Sequence, residues 1–166
     1  MLADYEAAID RIESALRACP EERWTAPCWA VRRTDAWMPK ALSDDELQVF
    51  SAFWGVAGHA VFYLDFYLDD GTGGFAPAHP RFDAGLDDQM QARMPNPALT
   101  REELLAALAD GRAKAQRVLP SVTDEQLALR MPTWHPWAGT TFADLLKVNV
   151  EHLREHGAHL EAVVRA

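Results

Sequence analysis

The chain has 166 residues, is 49% hydrophobic and carries a formal net charge of −9. That length fits a single domain over residues 1–166, with a core large enough to fold without a metal or disulfide staple. The acids are scattered along the chain, so the surface repels phosphate backbones and anionic lipid, which argues against nucleic acid and membranes as partners.

Residues 3–18 predict a helix, because Tyr5, Ile9, Ile12 and Leu16 recur at three- and four-residue spacing and Pro20 follows the end of the pattern. This stretch is charged and amphipathic and lacks the basic and apolar regions of a signal peptide. No stretch approaches the ~20 apolar residues of a membrane span, so the expected location is the cytoplasm. The two cysteines, Cys19 and Cys28, are too few for a disulfide scaffold and are expected as reduced thiols.

Residues 21–42 are rich in Trp and Pro and show no single period, which predicts an ordered connection with at most one helical turn. Ser43-Asp44-Asp45-Glu46 then forms a capping box. It opens a second helix running to about Leu68, apolar almost all round and expected to be the most buried element. The Gly- and Pro-rich residues 71–99 predict a long crossover loop. Thr100-Arg101-Glu102-Glu103 is a second capping box, starting a helix to about Leu119 with Leu104, Leu108, Ala115 and Val118 or Leu119 facing in. A short helical piece covers 124–129. Residues 131–139 form another Trp/Pro loop, and Thr140 or Thr141 caps a last helix over about 141–164. The prediction is an all-α fold: a four-helix bundle with long Trp/Pro-rich connections and no strand.

Chemistry concentrates on the second and last helices. His152 and His156 stand four residues apart, so their imidazoles lie one above the other on one face. That face also holds Leu145, Asn149 and Val163, which turns it inward. His59 lies among Ala52, Val56, Tyr63 and Phe66 on an apolar face of the second helix, and Gly55 and Gly58 leave room beside it. A lone inward histidine is usually a hydrogen-bonded core residue, and a lone His-x-x-x-His pair is often surface patterning. Three inward histidines are harder to satisfy by hydrogen bonds alone, whereas a metal takes one nitrogen from each. Three ligands leave a fourth position open, as in catalytic zinc sites.

His152-Leu153-Arg154-Glu155-His156 also matches the inverzincin peptidase signature. Its context is wrong, because only ten residues follow His156 and no distant downstream acidic ligand is available. Glu155 points about a quarter turn away from His156 and is expected to be solvated. His159 lies near the ligand face and fits a pocket or supporting role. His79 and His135 fall in loops, where exposure is the default, although His135 could line a pocket mouth. The aromatics of the second helix read first as core, with Tyr63 able to offer a hydroxyl near the metal.

The run FWGVAGHAVFYLDFYL resembles the second-helix motif of the DinB/YfiT-like superfamily, NVEHLREHGAHL resembles its last-helix motif, and WHPWAGTTFADLL is similar to the loop before that helix. The resemblance covers most of the chain in helix order. It implies a four-helix bundle with a buried divalent metal, usually zinc or nickel, on His59, His152 and His156. It also implies kinship with thiol transferases that use bacillithiol, mycothiol or glutathione, and a tendency to form homodimers. The chain departs where relatives often carry Gln and it has His159, which leaves the substrate open.

Three functions follow as expectations. The first is a metal-dependent thiol S-transferase that joins a low-molecular-weight thiol to an electrophile. The second is a hydrolase that activates water at the metal, and the third is a non-catalytic metal-binding or stress-response protein.

Overall fold

The computed structural model describes residues 1–30, 43–73, 75–82, 94–95 and 97–166. Helix α1 spans Leu2–Ala18 and buries Tyr5, Ala8, Ile9, Ile12, Ala15 and Leu16, the apolar stripe that its spacing predicts. It stops at Cys19, whose extended backbone leads into Pro20. The buried Tyr5 hydroxyl donates to the Leu146 carbonyl at 3.0 Å and ties α1 to the last helix. A short 3-10 turn, Glu21–Arg23, follows, the single helical turn expected in this connection. Residues 31–42 of that connection, and residues 74, 83–93 and 96 of the expected crossover loop, lie outside the described residues.

The expected second helix is two helices, α2 over Asp44–Ser51 and α3 over Phe53–Phe66. The break at Ala52 corrects the prediction of one continuous element. Ala52 turns extended and pairs with Pro27. The Phe53 and Trp54 amides donate to the carbonyls of Ala26 and Trp24 at 2.9 and 3.1 Å, and the Cys28 amide donates to the Ser51 carbonyl at 2.7 Å. A helix start leaves its first amides without intrahelical acceptors, and here a distant segment supplies them. The fold therefore gains a sharp turn at a position with no proline or capping side chain to announce it.

Glycine makes the turn passable. A β-carbon at Gly55 would sit 1.9 Å from the Val49 carbonyl oxygen. At Gly58 it would meet Met94 and Leu99 at 3.2 and 3.5 Å. Neither glycine opens space beside His59 as the sequence suggested; Gly55 lets α2 cross α3, and Gly58 faces the Met94–Leu99 side. Every residue of α3 is buried except His59, which is half-buried.

Helix α4 spans Arg101–Val118, the short α5 Asp124–Ala128 and α6 Phe142–Arg165. The boxes at Ser43 and Thr100 are both closed as predicted, and Thr123 with Gln126 forms a third. Thr141 caps α6, its hydroxyl accepting from the Asp144 amide. Helix α1 packs against α4 and α6, and α3 packs against the same two helices. The four long helices thus form a ring in which α1 stands diagonally across from α3. Among the described residues there is no strand beyond two isolated bridges, so the fold is all-α, as the sequence predicted. No described helix is long and apolar enough to cross a membrane.

Charged side chains brace the ring. Arg112 of α4 reaches Glu6, Asp10 and Glu13 of α1. Lys114 pairs with the nearly buried Asp65 of α3 at 2.7 Å, and Asp65 also accepts from the Ala78 amide. Gly111 of α4 lies against Leu64, where a β-carbon would come within 2.6 Å of the leucine side chain. These contacts hold α3 in place and leave its His59 side facing α6.

Candidate metal centre

The packing of α3 on α6 brings together residues 93 positions apart. His59 Nε2 lies 2.9 Å from His152 Nε2, and His156 Nε2 lies 3.0 Å from the same atom. The ligand-capable atoms of all three fall within 4.8 Å of one another. The rings stand at steep angles, His152 to His156 at 83° and His59 to His156 at 75°, so their edges rather than their faces converge.

A ring nitrogen carries one hydrogen or one lone pair, never both. His152 Nε2 can therefore make one good hydrogen bond, yet it faces two nitrogens. Protonation does not resolve the conflict. Burial pushes the imidazoles of His59 and His156 well below their ordinary value, with further lowering from the neighbouring histidines. Burial likewise brings His152 down to about 4. At neutral pH the cluster is uncharged and points three nitrogens at one spot. A cation held there would accept all three lone pairs at once. Tetrahedral bonds of about 2.0–2.1 Å place ligand nitrogens roughly 3.3 Å apart, within a few tenths of an ångström of the separations seen here. The residues fit a metal ion.

Residues 4–160 match the sequence model of the DinB superfamily. The protein belongs to the DinB superfamily. No curated protein and no solved structure matches the chain.

The other residues singled out in this DinB-superfamily chain take distinct places. Tyr63 is buried, with its ring 4.6 Å from that of His59 and 5.4 Å from that of His152. Asn149 is fully buried and donates to the Leu64 carbonyl at 3.4 Å, so it joins α6 to α3 within one turn of His152. His159 stands behind His156, with its ring 4.9 Å from Trp29. Glu155 is exposed, as expected.

His135 is corrected: it is 3% exposed rather than solvent-facing. Its ring stacks on Phe66 at 4.8 Å, and Nδ1 accepts from the Trp137 amide. Those two contacts fold the loop back over α3, which a run of Trp and Pro does not announce.

Three aromatic residues near the three histidines were not assigned to the site from the sequence. Trp29 packs on His156 and His159 from the aperiodic connection. Tyr67, with its ring 6.2 Å from that of His152, and Trp137, bonded to the Tyr67 hydroxyl, complete the wall. Tyr67 follows Tyr63 at i+4, a spacing that the helical pattern displays. Trp29 and Trp137 carry no such signal.

Burial lowers His135 from 6.5 to about 4. The unfolded chain then binds the extra proton first as pH falls, so the folded state loses stability between pH 6.5 and about 4. The loss from this one group is on the order of 3 kcal/mol. Urea unfolding midpoints measured at pH 7 and pH 4.5 should show a smaller drop for His135→Gln than for the unsubstituted protein. Equal drops would remove His135 as a cause.

Proposed function

We propose that this protein holds one divalent metal ion, zinc or nickel, on His59, His152 and His156, and acts as a metal-dependent thiol S-transferase in detoxification. The convergence of three neutral Nε2 atoms on one spot carries this reading. Three imidazoles satisfy a borderline ion and leave one coordination position for a reactant.

When bound, such an ion lowers the pKa of a thiol at the open position, so that the thiolate is available at neutral pH. The chain supplies the rest. His59, His152 and His156 stay uncharged because they are buried, which keeps their lone pairs free. Tyr63 walls the site on the α3 side and Trp29 on the His156 side, excluding bulk water from the reacting sulfur. In the transfer, a bond forms between the thiol sulfur and the electrophilic carbon. The leaving group departs with its electron pair, and the thiol proton passes to solvent.

The test follows consumption of two electrophiles, iodoacetamide and the aromatic 1-chloro-2,4-dinitrobenzene, with glutathione, mycothiol or bacillithiol in turn, before and after treatment with a chelator. Thiol-dependent turnover that the chelator removes and zinc or nickel restores supports the reading. Turnover without any thiol would make the protein a hydrolase. Metal uptake with no turnover of either kind would leave a binding protein and end the enzymatic proposal.

A further inference from the structure

The loop between α5 and α6 presents two large indoles to solvent. Trp134 is 44% exposed and Trp137 is 40% exposed. Such surfaces usually sit on mobile tips, but this loop is fixed along its length. The Met131 amide donates to the Thr140 carbonyl, the Gly139 amide to the Met131 carbonyl and the Ala138 amide to the His135 carbonyl, all at 2.9 Å. The Arg130 guanidinium donates to the Gly139 carbonyl. His135 anchors the centre of the loop by stacking on Phe66.

Trp137 is held most specifically. Its indole N–H donates to the Tyr67 hydroxyl at 2.8 Å. Tyr67 in turn packs 5.0 Å from Tyr63 and 6.2 Å from His152, ring centre to ring centre. An exposed aromatic face is therefore set rigidly one side chain from the candidate metal ligands. Burial raises the Tyr67 hydroxyl to about 12, so it stays protonated. Its hydrogen has no acceptor among the described residues.

We infer that Trp137 and Tyr67 form the binding wall for the electrophile, and that the electrophile is a planar aromatic molecule bearing a hydrogen-bond acceptor. The inference rests on the transferase reading, whose site it extends. The indole face offers stacking to a planar ring, and the Tyr67 hydroxyl offers a donor to a nitro or carbonyl oxygen. The size of the patch selects a small molecule over a protein. Two indoles of about 250 Å² each, less than half exposed, present roughly 200 Å², whereas a stable protein interface takes about 800 Å² from each partner. The patch also adjoins the three histidines, because the buried Tyr67 links the Trp137 indole to the His152 ring.

The experiment measures binding, not turnover. Metal-loaded protein is titrated by calorimetry with 1,3-dinitrobenzene, which is planar but has no leaving group, and with cyclohexanol, which is apolar but not planar. Dinitrobenzene should bind the unsubstituted protein at least tenfold more tightly than Trp137→Ala. Trp137→Phe, which restores a ring, should recover binding to within about threefold, and cyclohexanol should show no such dependence. Metal content, measured alongside, should be the same in all three proteins. Equal dinitrobenzene binding by Trp137→Ala, or equal preference for cyclohexanol, would overturn the inference. So would sedimentation showing a dimer that Trp137→Ala dissociates, because the indoles would then face a second copy. If dinitrobenzene binding depends on Trp137 but no thiol supports turnover, the aromatic site stands and the transferase reading falls. If thiol transfer to iodoacetamide persists without that dependence, only the aromatic wall falls.

Discussion

His152→Ala is expected to reduce affinity for zinc or nickel by at least about 100-fold, and to leave the purified protein essentially metal-free. Disrupting a group that merely orients a ligand costs 10–100-fold, and His152 is the histidine whose Nε2 lies within 3.0 Å of both others. The same substitution separates a metal site from a packed core. Without metal, three neutral imidazoles crowd one spot and satisfy at most part of their hydrogen bonding. Removing the middle one relieves that conflict, so the metal-free variant should unfold within about 1 kcal/mol of the unsubstituted protein. With metal added, only the unsubstituted protein should be stabilised, in proportion to the logarithm of free metal. Elemental analysis together with unfolding midpoints at several metal concentrations reads both arms. A variant as metal-rich as its parent would remove the site. A large loss of stability in the metal-free variant would return the histidines to the core.

Gly55→Ala is expected to cost about 3 kcal/mol or more and to weaken the metal site with it. The new β-carbon would approach the Val49 carbonyl oxygen to 1.9 Å and the Val49 carbonyl carbon to 3.0 Å. Backbone atoms cannot swing aside as a side chain can, so α2 must move off α3 or the first turn of α3 must shift. His59 is one turn further along α3 and would move with it. Gly73→Ala supplies the contrast. Nothing lies within 4 Å of its would-be β-carbon, so its effect should be neutral or slightly favourable. Chemical denaturation of the two variants in parallel, with zinc titrations of each, measures the difference. Equal stability of the two would mean that the break between α2 and α3 is softer than its geometry implies.

The parts of this protein that were legible in its sequence are those governed by local rules. The stripe of α1 follows from the spacing of Tyr5, Ile9, Ile12 and Leu16. The boxes at Ser43 and Thr100 need only four residues each, and the box at Thr123 with Gln126 was equally readable. The pairing of His152 with His156 is fixed by helix pitch, and His59 joined them because it interrupts an apolar run. What stayed hidden depends on distant chain. Ala52 is a good helix former, and only the carbonyls of Trp24 and Ala26 and the amide of Cys28 explain why the helix breaks there. His135 lies in a loop, as its sequence indicates, but it is covered by Phe66 and bonded to the Trp137 amide, which the sequence does not announce. Trp29 reaches His156 and His159 from a segment with no period to read.

The break at Ala52 also has a consequence for how the protein assembles. Helix α3 has no side-chain cap of its own, and the acceptors for its first two amides lie upstream in the chain. During synthesis those carbonyls are already available when α3 is made, so the central helix can be seated early. The partners of His59 come 93 and 97 residues later, on α6. Contacts at that separation carry the largest loop-closure entropy and tend to form late. Metal capture would then be a closing event, in which ion binding clasps α6 onto a scaffold that is already in place.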